Sequence, residues 1–246
     1  TGGREVRCPI REHMTACDDA ANGAARDAYS GPLNAKGERE GHGVLEMRSG
    51  DRYIGQFRSG KFDGLGRYEY TSGASFEGCF VAGVVQGSGV YNFSDGTHYV
   101  GSFVDERMEG RGVYSWPDGD IYFGGFVGGA MEGDGVNCFA SGAVYAGRYL
   151  GGRKDGVGAF HFKQGVAKIG RYHADTFEGE GVQFSVDRSE AWRLDGAEII
   201  GSISIEEANA IAEALGLQVP PPTDELKACI ASDMKVAEAE TRGRME

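Results

Sequence analysis

Tyr99-Val-Gly-Ser-Phe103, then Gly110-Arg-Gly-Val-Tyr114, closed by Asp118-Gly119, is the phrase whose reading decides the fold. It stands 23 residues earlier as Phe76-Glu-Gly-Cys-Phe80, Gly87-Ser-Gly-Val-Tyr91 and Asp95-Gly96. It returns 23 residues later as Tyr122-Phe-Gly-Gly-Phe126, Gly133-Asp-Gly-Val-Asn137 and Ser141-Gly142. A fixed period of this length marks a tandem array of one supersecondary unit. The Gly-x-Gly pair keeps the period without a slip, at Gly41/Gly43, Gly64/Gly66, Gly87/Gly89, Gly110/Gly112, Gly133/Gly135, Gly156/Gly158 and Gly179/Gly181.

Each unit has the alternation of a β-hairpin. In Tyr53-Ile-Gly-Gln-Phe57 the two rings and Gly55 fall at i, i+4 and i+2, so all three share one face of a strand. The same holds for Tyr99, Gly101 and Phe103, and for Tyr122, Gly124 and Phe126. In the second strand Gly64, Gly66, Tyr68 and Tyr70 occupy alternate positions, as do Gly110, Gly112 and Tyr114. A glycine weakens a strand by itself; recurring among rings, it lets a neighbouring ring lie flat on the backbone. Ser49-Gly50, Ser72-Gly73, Asp95-Gly96, Asp118-Gly119 and Ser141-Gly142 supply the positive φ of a tight turn. Two strands per unit at ~4.8 Å each advance the array by roughly 10 Å, so seven units predict a mainly β, elongated single-layer antiparallel sheet about 70 Å long.

The array spans 29–196, with degraded ends: Tyr29-Ser-Gly-Pro-Leu33 is one residue out of phase, and Trp192-Arg-Leu is one late with no second half. Residues 1–28 form an N-terminal docking segment; its Cys8, His13 and Cys17 match no zinc spacing. Residues 197–246 read as a helical tail. Ser204-Ile-Glu-Glu207 is a capping box, and Ile205, Ala208, Ile211, Ala212 and Leu215 form an apolar stripe up to Gly216. After Pro220-Pro221-Pro222, Thr223 caps a second helix with Leu226, Cys229, Ile230, Met234 and Ala237 on one side. These helices either cover the open edge of the sheet or dock a partner.

The unit Tyr-x-Gly-x-Phe, Gly-x-Gly-x-x-Tyr, Asp-Gly resembles the MORN repeat (membrane occupation and recognition nexus). The resemblance implies successive antiparallel hairpins and a scaffold role in larger assemblies. Similar repeats occur in ciliary radial spoke heads, protist cytoskeletal collars, junctophilins and some lipid kinases. They also precede SET methyltransferase domains, for which the residues outside this array are too few.

Composition narrows the function. There are 42 glycines among 246 residues, with no G-X-Y period, so neither collagen nor low-complexity disorder fits. A net charge of −12 argues against a nucleic-acid binder. Five cysteines without paired spacing suit a reducing compartment. No apolar run is long enough to span a bilayer, and no signal peptide is evident; the chain begins at Thr1, which leaves room for an upstream segment. The Gly-x-Gly pairs are followed by strand formers, not by a helix or Lys-Ser/Thr, so no nucleotide loop is read in them. His13, His42, His98, His161 and His173 share no spacing with Ser or Cys. No catalytic, cofactor-binding or metal-binding residue is assigned, and the chain is read as no enzyme.

Two charge patterns remain. Arg48, Arg52, Arg58, Lys61 and Arg67 outnumber Asp51 and Asp63, whereas residues 77–134 hold nine acids against Arg107 and Arg111. Membrane binding, if any, is thus confined to the first units. The residue before each Gly-x-Gly is Glu40, Asp63, Gln86, Glu109, Glu132, Asp155 or Glu178. Six acids at one turn of the repeat should form an edge that receives a Lys/Arg-rich protein segment. The expected function is a non-enzymatic scaffold for protein–protein interaction in a cytoskeletal assembly, with ciliary axoneme or radial spoke as its setting and homo-oligomers possible. The alternatives are a phosphoinositide-binding membrane adaptor and an accessory subunit of an organellar complex.

Overall fold

A computed structural model describes residues 27–217 and Ser232. The Cys8, His13 and Cys17 segment and, Ser232 apart, the stretch expected to form a second helix lie outside the described residues. The described chain is mainly β, sixteen strands in antiparallel hairpins plus one helix, and it divides into two compact units. Residues 27–117 hold Ala28–Ser30 (β1), Gly41–Glu46 (β2), Arg52–Arg58 (β3), Lys61–Glu69 (β4), Ser75–Val81 (β5), Val84–Asn92 (β6), His98–Val104 (β7) and Arg107–Ser115 (β8). Residues 118–217 hold Ile121–Val127 (β9), Ala130–Cys138 (β10), Val144–Leu150 (β11), Arg153–His161 (β12), Ala167–His173 (β13), Thr176–Phe184 (β14), Ala191–Asp195 (β15), Glu198–Ile203 (β16) and the helix Ile205–Ala214 (α1). Within each unit every strand pairs antiparallel with its neighbours in chain order.

Register aligns the glycines into rows that run across the strands. In the first unit Gly43, Gly55, Gly66, Gly78, Gly89, Gly101 and Gly112 are successive cross-strand partners. In the second, Gly124, Gly135, Gly147, Gly158 and Gly170 are. Rings of the first strand lie on this row in the hairpins up to β11–β12, and at Gly170 the ring is Phe177 of the second strand, β14. A Cβ at Gly112 would stand 2.5 Å from Cε2 of Tyr99, and one at Gly43 would stand 2.7 Å from Cε2 of Tyr29. The phenol of each such tyrosine then donates to a carbonyl three residues on, Tyr53 to Gln56 at 3.0 Å and Tyr122 to Gly125 at 3.1 Å. Edge-to-face rings connect consecutive hairpins: Tyr53 to Phe80 at 5.2 Å and 89°, Phe76 to Phe103 at 5.2 Å and 86°, Tyr145 to Tyr172 at 5.1 Å and 85°. Such pairs add about 0.5–1.5 kcal/mol each beyond the area they bury.

The expectation that both glycines of a pair serve packing is corrected by the backbone. Gly55 faces Gly66 while Phe57 faces Phe62, so β4 carries extra residues at Asp63-Gly64-Leu65, a β-bulge. Gly64 has φ +105°, and all seven first glycines lie between +65° and +105°. Only the second glycine of the pair lies under a ring; the first turns the bulge.

The turns between hairpins behave as the sequence predicts, with Gly50, Gly73, Gly96, Gly119 and Gly142 at φ +87° to +95°. The turn inside each hairpin is a second device. Ser59-Gly60, Ala82-Gly83, Asp105-Glu106, Gly128-Gly129, Gly151-Gly152 and Ala174-Asp175 all have positive φ at both residues, the geometry whose twist suits two-residue hairpins.

At the C-terminus the structure departs from expectation. Trp192 lies in β15, which does have a second half: β16 pairs Ser202 with Trp192. The helix then begins where the capping box places it, Ser204 accepting from the Glu207 N–H at 3.1 Å. It packs against β14 and β15 on a face of the sheet. Ala208 and Ala212 bury themselves among Ala159, Ile169, Val182, Phe184 and Ala191. The ring of Phe177 lies on Gly181, so Val182, the next residue, points to the opposite face. The described part of the tail therefore covers the face away from the rings.

Candidate interaction surfaces

The column of residues before each Gly-x-Gly sits at the bulge, beside the tight turn of the following hairpin. There the carboxylates accept from the first N–H of that turn. Glu40 accepts from Ser59 at 2.9 Å, Asp63 from Ala82 at 3.2 Å, Glu132 from Gly151 at 2.9 Å and Asp155 from Ala174 at 3.3 Å. Asp155 also meets Nδ1 of His173 at 3.1 Å. Gln86, the one amide of the column, donates instead to Asp105 at 2.7 Å. Glu109 is half-buried in the same position of β8, and Glu178 is exposed in β14. The column thus braces hairpin to hairpin, a role that spacing alone did not disclose. Each carboxylate still has lone pairs for other donors.

On the same tips stand side chains that sequence reasoning passed over. In four successive hairpins the last residue of the first strand is an exposed aliphatic, Val81, Val104, Val127 and Leu150 at 56%, 48%, 57% and 58%. They recur at the 23-residue step, so the signal was available, but a single valine in a strand draws no notice until its face is known. Single exposed aliphatics are ordinary; a periodic series beside an acidic column is less so.

A second brace lies at the turns between hairpins. Asp51 is buried and accepts from the Thr71 N–H at 2.8 Å and the Tyr68 phenol at 3.0 Å; Asp120 accepts from the Ala140 N–H at 2.8 Å. Burial opposes the charge of Asp51, but the hydrogen bonds from Thr71, Tyr68 and Ser49 outweigh it and hold its carboxyl below the usual value.

These repeats match the family model described as MORN repeat over residues 35–52, 53–75, 76–98, 99–121, 122–144 and 145–166, more than half of the chain. The chain belongs to the MORN-repeat family. Hairpins β13–β14 and β15–β16 continue past the last matched MORN repeat. No curated protein matches the chain. Among solved structures it is similar to the TCP domain of Drosophila melanogaster SAS-4 (dCPAP), in complex with a proline-rich motif of Ana2 (dSTIL), at 11% identity and a TM-score of 0.42. That alignment covers 74% of this chain and 100% of the other. It is also similar to the TCP10c domain of Drosophila melanogaster Sas-4, at 10% identity, TM-score 0.39, covering 70% and 100%.

The cations of the first MORN units are engaged by neighbouring acids. Arg52 lies 3.9 Å from Glu46 and 3.6 Å from Glu69, Arg58 is 3.3 Å from Asp63, and Arg67 is 2.9 Å from Glu69 and 3.7 Å from Glu77. Arg48 is 3.8 Å from Asp27. Four of the five basic residues of this stretch are therefore spread among ion pairs on a surface where such pairs are worth little. No helix among the described residues is long and apolar enough to cross a membrane.

On the ring face of the second unit one cation points inward. The Lys154 ammonium lies 5.3 Å, 5.6 Å and 5.5 Å from the ring centroids of Tyr145, Phe160 and Tyr172. Burial pushes its pKa down, partly countered by Asp175.

Proposed function

We propose that this chain is a non-enzymatic scaffold that joins proteins within a cytoskeletal assembly, a ciliary axoneme or radial spoke being the first setting to test. The observation that carries the reading is the tip surface: exposed aliphatics recur at four successive hairpins, Val81, Val104, Val127 and Leu150, and the turns that follow Val81 and Leu150 are braced by the carboxylates of Asp63 and Glu132. A surface that repeats with the sheet suits a partner that is itself extended. Its chemistry is apolar contact points flanked by negative charge, which fits a segment with Lys/Arg residues interleaved with apolar ones.

The test separates bracing from attraction. Changing Glu40, Glu132 and Glu178 together to Gln keeps an oxygen acceptor for the turn N–H but removes three charges. Affinity purification from the source cells with this variant should recover its cytoskeletal partners in several-fold lower yield, with the unfolding midpoint within a degree or two. Equal recovery from both proteins removes the acidic edge from the reading. Recovery of membrane or organellar proteins in place of cytoskeletal ones replaces the setting with one of the alternatives.

A further inference from the structure

On the ring face, the register row that carries the first-strand rings differs in character between the two units. In the first unit it runs Tyr53, Tyr68, Phe76, Tyr91, Tyr99 and Tyr114, and every one of these side chains is buried. In the second it runs Asn137, Tyr145, Phe160, Lys168, Gln183 and Trp192. Asn137 and Tyr145 are still buried, but from β12 to β15 the side chains Phe160, Lys168, Gln183 and Trp192 are only half-buried. Helix α1 packs on the other face of β14 and β15, so it does not cover this row.

Two lysines stand at this opening. Lys168 takes the strand position held by Tyr99, Tyr122 and Tyr145 in earlier hairpins, and lies in register between Phe160 and Gln183. Its ammonium is 6.0 Å from the Phe162 ring centroid, and that of Lys154 is 5.6 Å from the Phe160 ring centroid. Those two rings are 4.8 Å apart. Among the described residues neither ammonium is paired with a carboxylate. The row itself holds no acid, and Asp175, whose charge bears on Lys154, accepts instead from the Lys154 backbone N–H at 3.0 Å. Two cations without counterions beside half-open rings, in a chain of net charge −12, are complementary to negative charge interleaved with apolar surface.

We infer that this stretch of the ring face, from Lys154 and Phe160 to Trp192, binds an extended acidic protein segment whose Asp or Glu residues alternate with apolar ones. Carboxylates of the segment accept from the Lys154 and Lys168 ammoniums, each a triple donor. Its apolar side chains lie on Phe160 and Trp192, and the Gln183 carboxamide, which both donates and accepts, meets its main chain. Three strand spacings of ~4.8 Å separate Phe160 from Trp192, roughly 14 Å, about the length of four extended residues. A bilayer would bring its anionic surface against the whole acidic chain, whereas a short segment meets only the row. A required counterion also accounts for Lys154 at a strand position that is Phe62, Val85, Met108 and Met131 in earlier hairpins. The site is separate from the acidic tips and selects the opposite charge, so the two readings fail independently.

The experiment titrates the full chain into a fluorescein-labelled peptide of alternating Glu and Phe and reads the anisotropy at low and high salt. The variants are Lys154→Met, which gives β12 the side chain of β8 and β10, Lys168→Gln, and both together. Each single variant is expected to weaken binding about five-fold and the double at least ten-fold, with the β-sheet circular dichroism unchanged. Binding should also weaken with salt, and a peptide with Lys in place of Glu should not bind. In a Trp116→Phe background the emission of Trp192 should shift to the blue on addition of the Glu peptide, which reports contact with the row even where a lysine variant folds poorly. No binding by the parent, equal binding of the Lys peptide, an unmoved Trp192 emission or an unchanged affinity in the folded double variant overturns the proposal. Phosphatidylserine vesicles bound in place of the peptide assign the row to a lipid surface. A dimer that sedimentation finds in the parent and not in the double variant, with the peptide unbound, assigns it to a second copy; both results overturn it.

Discussion

An added methyl group tells the ring-covered glycines from the turn glycines. At Gly112 the backbone is ordinary, and an added Cβ would enter the Tyr99 ring, which is fully buried and edge-packed on Phe103 at 5.2 Å. The ring cannot retreat without disturbing the neighbouring hairpin, so Gly112→Ala should cost about 3 kcal/mol, the upper part of the overpacking range. Gly73 is the contrasting case: φ is +87° and nothing lies within 4 Å of an added Cβ. There Ala meets only the left-handed backbone penalty, offset in part by lower unfolded-state entropy, and Gly73→Ala should cost about 1 kcal/mol. Urea unfolding of the two variants checks the order; equal losses would mean that the ring–glycine contact is not what limits the site.

At the scale of the element, the second position of the hairpin's second strand repeats one apolar theme. It is Phe62 in β4, Val85 in β6, Met108 in β8, Met131 in β10 and Phe177 in β14, but Lys154 in β12. The three rings around Lys154 repay part of the cost of holding an ammonium there, and burial takes the rest out of stability. Lys154→Met gives β12 the side chain of β8 and β10, with sulfur against the same rings. The variant is expected to gain about 1 kcal/mol, seen as a rise of roughly 2–4 °C in Tm. A fall in Tm would mean that the cation–π contacts outweigh desolvation. Strand alternation could be read from the sequence, whereas the bulge that places this lysine on the ring side could not. A bulge is a property of two paired strands, and the sequence shows one strand at a time.

For the whole molecule the buried phenols set the alkaline limit. Burial raises the pKa of Tyr53, Tyr70, Tyr122, Tyr145, Tyr149 and Tyr172 well above the ordinary value of 10.0. Between pH 10 and the folded-state values the unfolded chain has lost these protons and the native chain has kept them. Stability is therefore fully present below about pH 10 and is lost as pH rises above it. Lys154 works in the opposite sense, since its lowered pKa makes its penalty fade as pH approaches 10.5, but it is one group against six. The urea midpoint should fall steadily between pH 9.5 and 11.5, and phenolate absorbance should appear in the same cooperative step as loss of the β-sheet signal. Phenolate appearing with the sheet intact would show that the rings are reached by solvent without unfolding.

The period, the hairpin and the ring–glycine face were all determined by the sequence, because a tandem array states its local physics several times over. Tyr53, Gly55 and Phe57 mean little once; repeated at Tyr99, Gly101, Phe103 and at Tyr122, Gly124, Phe126 they specify a strand, its face and its neighbour. The capping box fixed the start of α1 in the same local way. Tertiary structure decided what depends on the partner across a turn or across the sheet. It alone showed that the acids before Gly-x-Gly brace the next hairpin and that Asp105-Glu106 and Ala174-Asp175 take left-handed turns that no glycine marks. It alone gave Trp192 a second strand, and it alone showed that α1 lies on a sheet face. The physical reason is one of range: side-chain alternation and capping are settled within a few residues, whereas hydrogen-bond partners about 19 residues apart and a face shared by eight strands exist only once the hairpins have paired.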